Sequence, residues 1–343
     1  MTDDLHRNDE KRADHRPVVT VISDGNPPDW PWITNHFGDA LRWRFHGLPR
    51  PRGGIRPRIA RLAATIRAVR AARDHAVIVS HAPLAAALVE VARKLLRVRT
   101  PHITYSFNYA ALPTGFSRRR AAALFAGIDR FVVSSAMEAG LYADWFGLSR
   151  DRFDFVLWGV NAPLADTVAV SERPYVCAIG GNARDYPLLM AAAARLPDIP
   201  FLCVVRPDNL AGLDVPANVE FRTNRPLGET MAVLRDARAM VLPLIGDRIP
   251  CGHVTLVAAF YLGTPVIATD SAGVSDYVRD GETGVLVPAG SAEALAGAIR
   301  ALWDDRARGD ELAAKAQAFA ESECAEPNYV RHFRGELARL GIG

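Results

Sequence analysis

The chain has 343 residues, 49% hydrophobic and 23% charged, a length that suits two domains, each able to bury its own core. No apolar run approaches the ~18–20 residues that span a bilayer, and the opening MTDDLHRNDEKRADHRP is too polar for a secretory leader, so the protein is expected in the cytoplasm. Net charge is only +3, yet residues 1–160 hold 24 Lys and Arg against 15 Asp and Glu, which leaves the remainder acidic.

A polar tail, expected to be disordered, runs to about Arg16. VVTVIS (18–23) then reads as a first buried strand, followed by strands at 41–45, 76–80, 102–107, 130–135 and 154–158. Segments 56–73, 83–96, 117–127 and 136–147 between them have helical composition. Strands and helices alternating at this length imply a parallel sheet covered on both faces. The Pro-containing stretch 161–174 serves as linker. The pattern restarts with strands at 175–180, 200–205, 219–223, 239–244, 265–270 and 283–288, and with helices at 184–196, 227–237, 252–262, 273–279 and 291–304. Two Rossmann-like domains in tandem follow: 17–165 and 166–325. Cys177, Cys203, Cys251 and Cys324 show no metal-ligand spacing and read as reduced thiols.

From Gly263 to Trp303 the chain reads GTPVIATDSAGVSDYVRDGETGVLVPAGSAEALAGAIRALW. This closely resembles the C-terminal signature of retaining glycosyltransferases of family 4. The stretch DRFVVSSAMEAGLYADWFGLSRDRFDFVLWGV is similar, less specifically, to the end of that family's N-terminal domain. The resemblance implies a GT-B architecture, an α/β fold whose two Rossmann-like domains face each other across a cleft. It also implies an N-terminal acceptor domain, a C-terminal nucleotide-sugar domain and a final helix, 326–343, returning to the first. A sugar would pass from a nucleoside-diphosphate donor to a lipid-linked, polysaccharide or other acceptor with retention of configuration. No cofactor beyond the nucleotide-sugar co-substrate, and no metal, is implied.

A diphosphate requires cations or backbone N–H groups aimed at it, and helix N-termini supply both. Two stretches fit. In Gly180-Gly181-Asn182-Ala183-Arg184 a strand ends in glycines before a helix, and Arg184 suits phosphate oxygens. The family's usual arginine directly after the glycine is replaced by Gly181-Asn182. In Gly252-His253-Val254-Thr255 the start of an apolar helix offers backbone amides, with Gly252 allowing close approach and Thr255 a hydroxyl. Arg206, after the strand 200–205, is a third donor-side candidate, and Gly25, after the first strand, resembles the family's glycine loop. On the catalytic side His81 ends the strand 76–80, where it could hydrogen-bond the acceptor or leaving group. Asn108 stands near where family members often place a further histidine.

One departure bears on activity. Many family members carry two glutamates eight positions apart, the second binding ribose hydroxyls. Those positions are Pro250 and Ala258 here, which removes a charge-assisted hydrogen bond of about 1.5–3 kcal/mol. Asp247 could supply a carboxylate instead. The alternative is a GT-B protein that has lost donor binding and acts as a partner or scaffold.

Residues 42–73 hold ten arginines and no acidic residue, with Asp74 just beyond. Within them Ile59, Leu62, Ile66 and Val69 recur at helical spacing, a stripe expected to pack on the first sheet, while the arginines favour weak contact with an anionic membrane at ~1 kcal/mol each. Arg118-Arg119-Arg120 could add to that surface. Nucleic acid is not expected, because no aromatic-interleaved basic motif is present.

Overall fold

A computed structural model of the chain describes residues 15–24, 30–49, 55–109, 112–248 and 250–342. The tail before residue 15 and Gly25 lie outside the described residues. Arg16 is held by the Asp39 carboxylate at 3.0 Å.

The first sheet contains β1 (Val18–Asp24), β2 (Arg42–Leu48), β3 (Val77–His81), β4 (His102–Tyr105), β5 (Arg130–Val133) and β6 (Phe153–Phe155), in the order β2-β1-β3-β4-β5-β6. Its pairings β1–β2, β1–β3, β3–β4 and β4–β5 are parallel. The second sheet contains β7 (Val176–Ile179), β8 (Phe201–Val205), β9 (Val219–Thr223), β10 (Ala239–Leu242), β11 (Val266–Thr269) and β12 (Val285–Val287), in the order β12-β11-β10-β7-β8-β9 and again parallel. Each of the twelve expected strands forms. Central strands buried on both faces carry unbroken apolar runs, and these are what the sequence displays. In β7 the alternation is explicit: Cys177 and Ile179 enter one core, Val176 and Ala178 the other.

The helices are α1 (Ile55–Ala71), α2 (Pro83–Leu96), α3 (Gly115–Phe125), α4 (Ala136–Phe146), α5 (Tyr186–Ala193), α6 (Leu227–Arg235), α7 (His253–Tyr261), α8 (Ala292–Asp304), α9 (Arg306–Glu323) and α10 (Glu326–Arg339). Two expectations are corrected here. Residues 273–279 form successive turns rather than a helix, with Val274 and Ser275 N–H groups both bonded to the Ser271 carbonyl. The long helix α9 was not expected.

The stripe on α1 is a third correction. Val69 is fully buried, but Ile59 is 61% exposed and Leu62 and Ile66 are only half-buried. The inward face is instead Arg61, Thr65, Ala68 and Ala72. Arg61 explains the rotation. Its guanidinium donates to Asp24 at the end of β1 (2.6 Å) and to the Pro49 carbonyl. A desolvated arginine must keep such partners, and keeping them turns the isoleucines outward.

The chain forms two compact units. One comprises residues up to Phe107, Ala123–Phe131 and Phe333–Gly343; the other comprises Asn108–Ala122 and Val132–His332. Within the first, Phe333 of α10 packs edge-on against Phe37 and beside Trp43. Among the described residues no helix is long and apolar enough to cross a membrane.

Candidate functional site

The site is built at the carboxyl ends of β7, β8 and β10, all in the second unit. After β7 the chain turns sharply at Gly180 (φ 97°), where an added Cβ would stand 3.1 Å from the Arg184 guanidinium. Ala183 is also left-handed (φ 53°), a strained state for a residue with a Cβ. The strain is held by an antiparallel bridge of Arg184 with Leu244, in which the Ile245 N–H donates to the Ala183 carbonyl at 3.1 Å. Asp185 caps α5 by accepting from Leu188 N–H, so α5 starts two residues after Arg184.

The bridge directs the Arg184 side chain inward, only 7% exposed. Its Nη1 donates to the Asn182 carbonyl at 2.9 Å and its Nη2 to Thr255 Oγ1 at 3.2 Å. Burial pulls its pKa below the usual arginine value, although a guanidinium stays charged at neutral pH. No carboxylate forms an ion pair with it among the described residues. Arg206, exposed, donates to Asn182 Oδ1 at 2.9 Å, and Asn209 Nδ2 donates to the Gly181 carbonyl at 3.1 Å. Gly181 is therefore enclosed, and a Cβ there would meet Asn209 Oδ1 at 2.5 Å.

Thr255 belongs to α7. Gly252, its N-cap, has φ 105° and would place a Cβ 2.7 Å from Leu242, so only glycine fits. No side chain caps this helix, and its first intrahelical bond runs from Leu256 N–H to the Gly252 carbonyl. The amides of the first turn are left as free donors at the positive end of the helix. Val254 is 60% exposed. His253 differs from expectation: its ring is buried, stacked on Tyr277 at 4.8 Å, with Nε2 donating to the Gly273 carbonyl at 2.7 Å. Desolvation lowers its pKa to about 4, so it stays neutral and its side chain is structural. The donor-side candidates Gly181, Asn182, Arg184, Arg206, Gly252 and Thr255 thus gather around one loop and one helix start.

The catalytic candidates are placed differently. Asn108 is occupied: its Nδ2 donates to Glu138 Oε1 at 2.8 Å and to the Pro250 carbonyl at 2.6 Å. Asp247 sits on an exposed turn, with its backbone carbonyl accepting from Ala272 N–H. No described contact brings its carboxylate to Arg184. His81 lies in the first unit, Nε2 against Ser106 Oγ at 2.8 Å and its ring edge-on to Trp30. Burial lowers its pKa, opposed by Asp24. Ala258 is part of the apolar core.

Glu138 was missed. Its signal is the pattern Ser135-x-x-Glu138, a capping box. Ser135 accepts from Glu138 N–H at 3.2 Å, and the carboxylate accepts from Ser134 N–H and Ser135 Oγ at 3.1 Å each.

Residues 178–305, which contain the whole donor-side cluster, match the family model described as Glycosyl transferases group 1. Over that segment the chain is similar to the group 1 glycosyltransferases. A D-inositol 3-phosphate glycosyltransferase of Nocardia farcinica is 29% identical over 295 residues, 72% of this chain and 64% of that protein. A phosphatidyl-myo-inositol mannosyltransferase of Mycobacterium leprae is 42% identical over 88 residues, 25% of this chain and 23% of that one. The chain therefore spans less than two thirds of the length of these curated relatives. Among solved structures, Anabaena HepE in complex with UDP and glucose superposes with a TM-score of 0.72 at 15% identity, covering 94% of this chain and all of that one. Sucrose-phosphate synthase of Thermosynechococcus elongatus gives 0.71 at 18%, covering 94% and 98%. At such identities the likeness is one of fold, and it is the GT-B fold.

Proposed function

We propose that the chain is a group 1 glycosyltransferase, moving a sugar from a nucleoside-diphosphate donor to an acceptor with retention of configuration. The observation that carries the reading is Arg184. A buried guanidinium with hydroxyl and carbonyl partners but no carboxylate suits an anionic ligand. It converges, through Thr255, on the uncapped start of α7. Arg206 adds a second cation on the exposed side of the same loop. The UDP and UDP-glucose complexes of the Anabaena neighbour agree with this class of donor.

In this reading the diphosphate takes the place opposite Arg184 and the amides of His253, Val254 and Thr255. Neutralising the departing diphosphate lowers the barrier, and the acceptor attacks the face it leaves. Catalysis then rests on positioning and electrostatics, with neither cofactor nor metal. His81, kept neutral by burial, is a hydrogen-bonding group for the acceptor or leaving group. Its Ser106 contact fixes the ring. With Ala258 apolar, no side chain at that position distinguishes ribose from deoxyribose. UDP-sugars and dTDP-sugars should therefore be discriminated by less than about tenfold through the sugar of the nucleoside.

The acceptor is proposed to be lipid-linked or a polysaccharide. Exposed Ile55 and Ile59 on α1, flanked by exposed Arg56, Arg58, Arg67 and Arg70, support peripheral contact with an anionic bilayer. The experiment is incubation of purified protein with UDP-, GDP-, ADP- and dTDP-sugars and a panel of glycan and lipid-linked acceptors. Anomeric configuration of the product is read by proton NMR. Acceptor-dependent release of one nucleoside diphosphate with a retained anomer is expected. An inverted product would refute the retaining assignment, and inertness across the panel would favour a partner protein without donor chemistry.

A further inference from the structure

The diphosphate-binding helix start is held from outside its own sheet. Asn108 Nδ2 faces two acceptors, Glu138 Oε1 and the Pro250 carbonyl, so only the amide nitrogen fits that side and both its hydrogens are used. Glu138 is 1% exposed and gathers four donors: Asn108, Ser134 N–H, Ser135 Oγ and Tyr142 OH at 3.2 Å. Ser134 is shared with a second tie. Its carbonyl accepts from Tyr277 OH at 2.7 Å, and the Tyr277 ring stacks on His253, the first residue of α7. Tyr277 OH in turn accepts from Trp158 N–H at 2.9 Å.

Two connections thus run from the turn Ser134–Glu138 to the two ends of the segment Pro250–His253. Cys251 and the His253 ring also anchor that segment in the core. Gly252 is left-handed and the helix is uncapped. Burial raises the Glu138 pKa, and its four donors oppose the shift. A carboxyl buried in this way is kept by the structure only where its partners need it, and its outward partner is Asn108.

We propose that Glu138 and Asn108 are positioning residues. Through the Pro250 carbonyl they set the loop that aims the first-turn amides of α7 at the diphosphate. The inference rests on the donor-site reading above, but the clamp itself can be tested without a ligand. Neither residue touches the donor in this account, and each acts through the loop.

The test uses full-length protein carrying Asn108→Ala or the milder Glu138→Gln, beside Ser291→Ala as a control. Ser291 caps α8 by accepting from Ala294 N–H, in the same unit but outside the cluster, so losing it lowers stability without touching the loop. Hydrogen exchange of the Leu256–Ala258 amides is followed by mass spectrometry, and affinities for UDP, GDP, ADP, dTDP and the corresponding nucleosides are measured by calorimetry. Asn108→Ala should speed exchange at those amides by about tenfold and weaken the bound nucleoside diphosphate by a similar factor. Nucleoside affinity should be unchanged. Glu138→Gln should show the same pattern at smaller size, and Ser291→Ala should leave the loop amides as in wild type. Unchanged exchange in Asn108→Ala, or equal exchange in the control, overturns the proposal. Should the wild type bind no nucleotide, the donor reading fails, while the exchange data still decide the clamp.

Discussion

Burying a charge costs several kcal/mol unless it is paired and hydrogen-bonded, and Arg184 and Arg61 meet that requirement in opposite ways. Arg61 is buried against Asp24 and is a structural strut. Arg184 is buried against a hydroxyl and carbonyls, which leaves its charge uncompensated. The histidines illustrate the reverse case of a group buried neutral. His253 has a folded pKa of about 4 against 6.5 when unfolded. The unfolded chain therefore takes up the proton first, and stability falls as pH drops from 6.5 toward 4, by about 3 kcal/mol in all. His81 and His102, lowered by burial, act in the same direction; Glu138, raised, acts against it. Urea midpoints at pH 7.5 and 5 should show His253→Phe less pH-sensitive than wild type, and parallel slopes would refute this assignment. Arg184 as a candidate was legible in the sequence, since a glycine turn after a strand limits where an arginine can point. That the His253 side chain turns inward was not, because its stacking partner Tyr277 is 24 residues away in the sequence. Glu138 was hidden for the same reason: a capping box announces a helix start, not a partner thirty residues upstream.

At the level of elements, the central strands were readable because parallel strands buried on both faces carry unbroken apolar runs, whereas the edge strands β2 and β9 are only partly buried. Helix α9 escaped because its inward side is mostly small: Leu312, Ala313, Ala316 and Ala320. Alanines bury little area, so the amphipathic signal is weak. The 273–279 segment misled by composition; the Ser271 carbonyl accepts from both Val274 and Ser275 and closes a turn there. On α1 the sequence pattern identified a stripe, but a single ion pair at Arg61 decided which side faces inward. Gly252 offers an element-scale prediction. Gly252→Ala must place a Cβ against Leu242 at positive φ, at a cost of about 1–3 kcal/mol. A drop in thermal midpoint together with weakened nucleotide binding is expected, whereas a stable variant with intact binding would show that the loop relaxes freely.

For the molecule as a whole, the two halves differ in charge. The basic excess lies in the first unit, and the exposed face of α1 pairs it with exposed isoleucines. Flotation with vesicles containing phosphatidylglycerol should capture the protein at about 0.1 M salt and release much of it at about 0.5 M, as screening requires. Reversing Arg58, Arg67 and Arg70 to Glu should abolish capture. Equal binding to neutral phosphatidylcholine would exclude the electrostatic mode. The second unit carries the part of the chain that matches the family and the whole of the proposed anion site. The two Rossmann-like domains were legible because two runs of alternating strands and helices flank one Pro-containing linker, and the GT-B architecture followed from the resemblance carried by Gly263–Trp303. Donor and acceptor identity were not, since base and sugar are read by loops whose side chains follow no periodic pattern.

The most direct measurement is calorimetric titration of UDP, GDP, ADP and dTDP into wild type and Arg184→Ala at neutral pH. Saturable binding of one nucleoside diphosphate is predicted, weakened by about 10²-fold or more in the variant, as loss of a buried charge-assisted contact implies. Equal affinity in both proteins, or no binding to wild type by any of the four, would contradict the donor site centred on Arg184.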